Sequence, residues 1–385
     1  MIQRLTNGQV FDGERVFAGR DVIIDGGVIA NIVASAEISG ADAVDLHGHL
    51  LAPGLVDLQV NGGGGVLFND APTVASLKTI GAAHRPFGTT AFLPALITDS
   101  DAVMDEAIAA VATALRDRVP GVIGIHLEGP HLDPRHRGVH DAGRMRALDE
   151  AAIERITSLP LGRTMLTLAP ETVPVETISR LAEKGVIVCG GHSAATYAEV
   201  RRALDAGLGG FTHLFNAMTP LQSREPGMVG AAIEDRESFF GIIADGFHVH
   251  PACFRIAVAA KPVGKALLVT DAMPTVGSDR KSFELFGVTV TAVNGRCLTP
   301  DGVLAGSDIG LITAVKNACE FAGIDQFEAL RMASTYPAKV LGLDDQLGYV
   351  RPGYRASLIE LDSSFTVHRS WVDGDMQRHL ARVPG

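Results

Sequence analysis

Glu128, His192, His213 and Asp271 each stand at the polar end of a short apolar run, and together they supply the residue types of a hydrolytic metal centre. Two imidazoles and one carboxylate hold a tetrahedral divalent ion and leave one position open for water, as catalytic zinc sites do. Asp271 would face that position and take the water's proton. Each residue taken singly has an ordinary use: a histidine can be a hydrogen-bonded core or surface group, and Asp271 can cap a turn before Pro274. The same kind of ending recurs, however. The runs close in Asp57-Leu58-Gln59-Val60-Asn61, His126-Leu127-Glu128, Gly191-His192-Ser193, Thr212-His213-Leu214-Phe215-Asn216, Asp245-Gly246-Phe247-His248 and Thr270-Asp271. Such groups are rarely buried without partners, so their recurrence at run ends points to one shared site. His47-Gly48-His49 has the form of a metal-binding pair but precedes Pro53-Gly54 and the first run, and is expected in a surface turn. The slot where such a pair would end the first run holds Gln59 and Asn61, whose amides are weak zinc ligands.

The elements that must position these residues follow an α/β pattern. Short apolar runs at Leu55 to Val60, Thr89 to Leu93, Val122 to Leu127, Met165 to Leu168, Val186 to Cys189, Gly210 to His213, Phe239 to Ala244 and Ala266 to Thr270 alternate with amphipathic stretches. Asp99-Ser100 caps a helix through Arg116 in which Val103, Ala107, Ala110, Val111 and Ala114 recur at helical spacing. Pro174 opens another through Glu183, and Tyr197 to Ala206 forms a third ended by Gly207. Strands alternating with helices in this way predict a (β/α)₈ TIM barrel, whose active site lies at the carboxyl ends of the strands, with a doubly wound sheet as the alternative. The expected domains are a barrel over residues 53–345, with a β-hairpin inserted near 284–300, and a small discontinuous β-sandwich built from residues 1–52 and 346–385.

Composition narrows the class further. The chain has 385 residues, 46% of them hydrophobic, and 44 acidic against 33 basic residues give a net charge of −11. That balance argues against a surface for nucleic acid or anionic membrane. Polar residues interrupt every apolar stretch well short of the roughly 18 to 20 residues a membrane span needs. The opening MIQRLTNGQVFDGERVFAGRD lacks a secretory pattern, and Cys189, Cys253, Cys297 and Cys319 form no CxxC pair. A cytoplasmic enzyme with reduced thiols is expected.

The segments PGLVDLQVNGGGG (53–65), HLEGPHL (126–132), GHSAAT (191–196), THLFNAM (212–218), REPGMVGA (224–231), IIADGFHVHP (242–251), LVTDAM (268–273) and LAGS (304–307) resemble, in order, the N-acetylglucosamine-6-phosphate deacetylase family of the amidohydrolase superfamily. The resemblance implies hydrolysis of the acetamide of GlcNAc-6-phosphate to glucosamine-6-phosphate and acetate. It assigns the metal to Glu128, His192 and His213, the proton transfers to Asp271, and oxyanion stabilisation to His140, which also touches substrate. It places Arg224 and His248 on the phosphate, Asn216 and Ala217 beside the sugar, and Leu304, Ala305 and Gly306 over it. Gln59 and Asn61 then mark a vestigial second-metal slot, and the expected cofactor is one divalent ion per chain, zinc first, with iron, manganese or cobalt as alternatives. The resemblance also implies a homodimer or larger homo-oligomer. The remaining readings are a deacetylase for GalNAc-6-phosphate, an N-acyl amino-acid deacylase, and a metal-binding barrel without turnover.

Overall fold

The computed structural model describes residues 2–35 and 43–379. Eight parallel strands run in sequence order around a barrel: Leu55–Val60, Thr89–Ile97, Gly124–Glu128, Arg163–Leu168, Ile187–Gly190, Gly210–Phe211, Phe239–Ile243 and Ala266–Val269. Their pairings align the carboxyl ends, with Ile97 opposite Glu128, Glu128 opposite Thr167 and Gly190 opposite Phe211. The run ends therefore meet on one face, as a barrel requires of its active site. Between the first and eighth strands there is no ladder, only a single bridge from Val60 to Ala272.

Helices cover the barrel as their apolar spacing requires. The helix Asp101–Arg116 starts at Ser100, whose hydroxyl accepts from the Val103 amide, and buries Met104, Ala107, Ile108, Ala110, Val111 and Ala114. Tyr197–Asp205 carries a full capping box: Thr196 Oγ1 accepts from the Glu199 amide and Glu199 Oε2 from the Thr196 amide. Gly207, two residues past this helix, turns the chain at φ +105°, a conformation that favours glycine. Thr196→Ala is expected to remove about 1 kcal/mol of stability, read as a lower urea midpoint at unchanged slope.

Two smaller sheets come from the ends of the chain. One orders Val28–Ala34, Arg20–Asp25, Gln3–Thr6 and Ala43–Asp45; the other joins Asp375–Arg378, Val367–Val372 and Leu358–Leu361 to Leu50–Pro53, Gln9–Phe11 and Val16–Phe17. Leu5, Val22, Ile24, Leu51, Leu358 and Trp371 bury one core from both termini. The expected hairpin insertion is larger than its sequence suggests. It is a four-stranded antiparallel sheet, Ser282–Leu285, Val288–Val293, Arg296–Leu298 and Leu304–Ser307, with its own core around Phe283, Val290 and Cys297. Its last strand bridges Ala272 through Ser307 and so reaches the barrel mouth.

Candidate active site

Glu128, His192 and His213 converge on the carboxyl face. Glu128 Oε1 lies 3.0 Å from His213 Nε2 and 3.3 Å from His192 Nε2, and the two Nε2 atoms are 3.0 Å apart. All three residues are buried. His192 Nδ1 donates to the His136 carbonyl at 2.9 Å, which leaves the lone pair of a neutral ring on Nε2, facing the other two groups. A lone pair aimed at a carboxylate and a second imidazole nitrogen lacks a partner of opposite charge, and a divalent cation supplies it. The donor set, two imidazoles and a carboxylate, is one that zinc and related ions accept. Burial opposes charge on Glu128, but its close contacts with the His192 and His213 rings outweigh it and hold the carboxyl well below its usual range. His140 also comes within 4.8 Å of donor atoms on Glu128 and His192. The closer triangle, at 3.0 to 3.3 Å, is the one made with His213.

Asp271 faces this cluster through the two amides of the first strand. Asn61 Nδ2 donates to Asp271 Oδ1 at 2.7 Å and Gln59 Nε2 at 3.1 Å, while the same Gln59 amide contacts both Glu128 oxygens at 3.1 and 3.2 Å. A neutral donor thus stands between two carboxylates. Burial, and next the charge of Glu128, push the Asp271 carboxyl up to about 6. His192, His213 and Asp271 all adopt positive φ, at 48°, 34° and 52°, as do Phe215 and Ala217. Strained backbone of this kind persists where the surrounding structure fixes it, and it gathers at working sites.

His140 completes the wall. Its Nδ1 accepts from the Thr98 amide at 3.3 Å, which leaves the ring proton on Nε2. Burial, followed by the nearby His192, pushes its pKa down to about 3, so the ring is neutral at pH 7. A cavity of about 180 Å³ is lined by Glu128, His140, His192, His213 and Asp271 together with Asn216, Ala217, His248, Leu304 and Gly306. A second cavity of about 350 Å³ shares Gly138, Val139, His140 and Val303 with it. Asp245 fixes the His248 ring by accepting from Nδ1 at 2.6 Å. A Cβ on Gly306 would sit 2.7 Å from the Asp271 carbonyl, so only glycine lets this strand pass so close.

Two expected residues do not line this cavity. Ala305 turns its side chain into the core of the insertion sheet, since neighbours on a strand face opposite ways, and it does not line the cavity. Arg224 lies in the exposed segment 220–225 and not in the cavity wall. His47 and His49 have other partners: His47 Nδ1 lies 3.4 Å from Asp45, and His49 bonds Glu360 at 2.8 Å and stacks on His368. Three supporting groups were not singled out as site residues by sequence: Thr98, the His136 carbonyl and Asp245. Of these only Asp245, three residues before His248, carried a visible signal.

A parallel barrel with a carboxylate, two imidazoles and a facing aspartate at its strand ends defines a hydrolase of the amidohydrolase type. Residues 50–377 match the amidohydrolase family model, and residues 4–51 match a NagA composite domain. The chain belongs to the amidohydrolase family, whose members are metal-dependent. It is 43% identical to an N-acetylgalactosamine-6-phosphate deacetylase of Shewanella sp. (strain ANA-3), over 85% of this chain and 82% of that one. Among solved structures, an N-acetylglucosamine-6-phosphate deacetylase from Pasteurella multocida superposes with a TM-score of 0.95 at 34% identity, covering 98% of this chain and all of the other. A mutant N-acetyl-D-glucosamine-6-phosphate deacetylase from Mycobacterium smegmatis, in complex with N-acetyl-D-glucosamine-6-phosphate, superposes at 0.90 with 30% identity, covering 97% and 99%.

Proposed function

We propose that this chain hydrolyses the acetamide of N-acetyl-D-glucosamine 6-phosphate, giving D-glucosamine 6-phosphate and acetate. The observation that carries the reading is the convergence of Glu128 Oε1, His192 Nε2 and His213 Nε2 in a cavity that Asp271 and His140 also line. One divalent ion, zinc by preference, would be held by Glu128, His192 and His213; when bound it acidifies water and polarises the acetyl carbonyl. Asp271 takes the proton of the attacking water and returns it to the sugar nitrogen, which leaves as an amine once protonated. His140, neutral and protonated on Nε2, donates to the acetyl oxygen as negative charge develops there. Gln59 and Asn61 keep Asp271 oriented and leave no second set of imidazoles for a further ion.

Arg224 and His248 are the partners proposed for the phosphate, with Asn216 and the Ala217 backbone beside the sugar and Leu304 and Gly306 over it. His248 is already oriented by Asp245, and Arg224 stands exposed in the 220–225 segment. Zinc, a homodimeric or larger assembly and a cytoplasmic location belong to the same reading and rest on the resemblance. Acetate release is the direct test. The phosphorylated sugar is expected to exceed the unphosphorylated one in kcat/KM by about 100-fold, the effect of one or two charge-assisted hydrogen bonds. Equal values overturn the phosphosugar assignment. The Shewanella relative supports a second reading, the C4 epimer N-acetylgalactosamine 6-phosphate, which the same assay compares side by side.

A further inference from the structure

Asp57 is fully buried inside the barrel and has no part in the chemistry above. Its carboxylate accepts from Thr270 Oγ1 at 2.6 Å, from the Thr270 amide at 3.3 Å and from the Gln59 amide at 3.2 Å. The two contacts to Thr270 cross the seam where the first and eighth strands have no ladder, while the Gln59 contact stays within the first strand. Asp57 therefore does with a side chain what backbone pairing does elsewhere in the barrel, and it does so one residue before Asp271.

The same hydroxyl of Thr270 accepts from the Ala272 amide at 3.2 Å, so it braces the chain on both sides of Asp271. Ser307 grips the segment from the opposite direction: its Oγ donates to the Thr270 carbonyl at 2.6 Å and its amide to the Asp271 carbonyl at 2.9 Å. The Asp271 amide donates to the Gln59 carbonyl at 3.0 Å. Between these anchors Asp271 sits at φ +52°, a conformation that an aspartate holds only where its neighbours are fixed. The anchors also fix Gln59, whose side chain touches Asp271 and Glu128 at once.

We propose that Asp57 is a positioning residue that acts through the Thr270 hydroxyl to hold the Asp271 carboxylate against Asn61 and Gln59, toward the attacking water. The proposal rests on the role given above to Asp271, and its test separates the two. Thr270→Val removes the hydroxyl at nearly constant volume. It is expected to lower kcat about 10- to 100-fold, with KM within about twofold and metal content unchanged, as loss of an orienting partner does. Thr270→Ser keeps the hydroxyl and is expected to restore kcat to within about threefold of the parent, while Asp57→Asn, which retains an acceptor for the two amides, should reproduce the valine defect. A crystal structure of Thr270→Val is expected to show the 2.7 Å contact between Asn61 and Asp271 broken, a result independent of which substrate is turned over. Failure of the parent protein to hydrolyse the phosphosugar, with that displacement present, would count against the proposed function alone. An undisplaced Asp271 in Thr270→Val, a serine variant as poor as the valine one, or a kcat loss matched by metal loss would each overturn the positioning role.

Discussion

Asp271→Asn is expected to keep the metal and lose turnover. The substitution preserves shape, and Asp271 supplies none of the three atoms of the Glu128, His192 and His213 triangle, so the ion stays bound. What disappears is the group that accepts the water's proton and returns it to the amine, and general acid–base catalysis of this kind contributes about 10²- to 10⁴-fold. Loss of that size in kcat, with metal content and KM little changed, is the expected result. A variant with near-parental kcat would sink the mechanism. The pH dependence follows with a definite sign. Burial and the Glu128 charge raise the carboxyl to about 6, and only the deprotonated form can accept a proton. In the parent, kcat/KM is therefore lost as pH falls through about 6, or through a lower value once a cation occupies the neighbouring site. In Asp271→Asn that acid limb is absent from the residual rate.

The barrel was legible because each strand is a compact apolar run and each helix a separate periodic stretch, so order and number followed from hydrophobicity alone. The convergence of Glu128, His192 and His213 was legible because chemistry in such a fold is confined to strand ends, and each of the three stands at one. What sequence could not show is contact between distant segments. Asp57 and Thr270 are 213 residues apart and meet only because the barrel closes there. Thr98 sets the His140 tautomer through a backbone amide, a group that every residue except proline carries and no motif marks. The insertion sheet gained its fourth strand from Leu304–Ser307, four residues that read equally well as a loop over the sugar.

Glu128→Ala removes the metal and the activity together, and its cost to stability should grow when the metal is present. Loss of one of three protein ligands weakens binding by more than the roughly 10- to 100-fold typical of losing an outer partner. It also leaves Gln59 Nε2 without its two contacts to Glu128. In the presence of a chelator, however, the parent protein carries a buried carboxylate whose neighbours are two imidazoles and no cation. Contacts with those imidazoles nonetheless hold the carboxyl well below its usual range, so the ionised group is favourably placed, and replacing it with a methyl group forfeits those contacts and leaves a cavity. The chelated variant is therefore expected to melt below the chelated parent near neutral pH. Adding a divalent ion at about 1,000 times its dissociation constant should stabilise the parent by about 4 kcal/mol through linkage and leave Glu128→Ala almost unmoved. An ion-induced rise in melting temperature confined to the parent identifies Glu128 as a ligand independently of any substrate. An ion-induced shift in Glu128→Ala equal to that of the parent would place the metal elsewhere, because an ion stabilises only the fold that holds it.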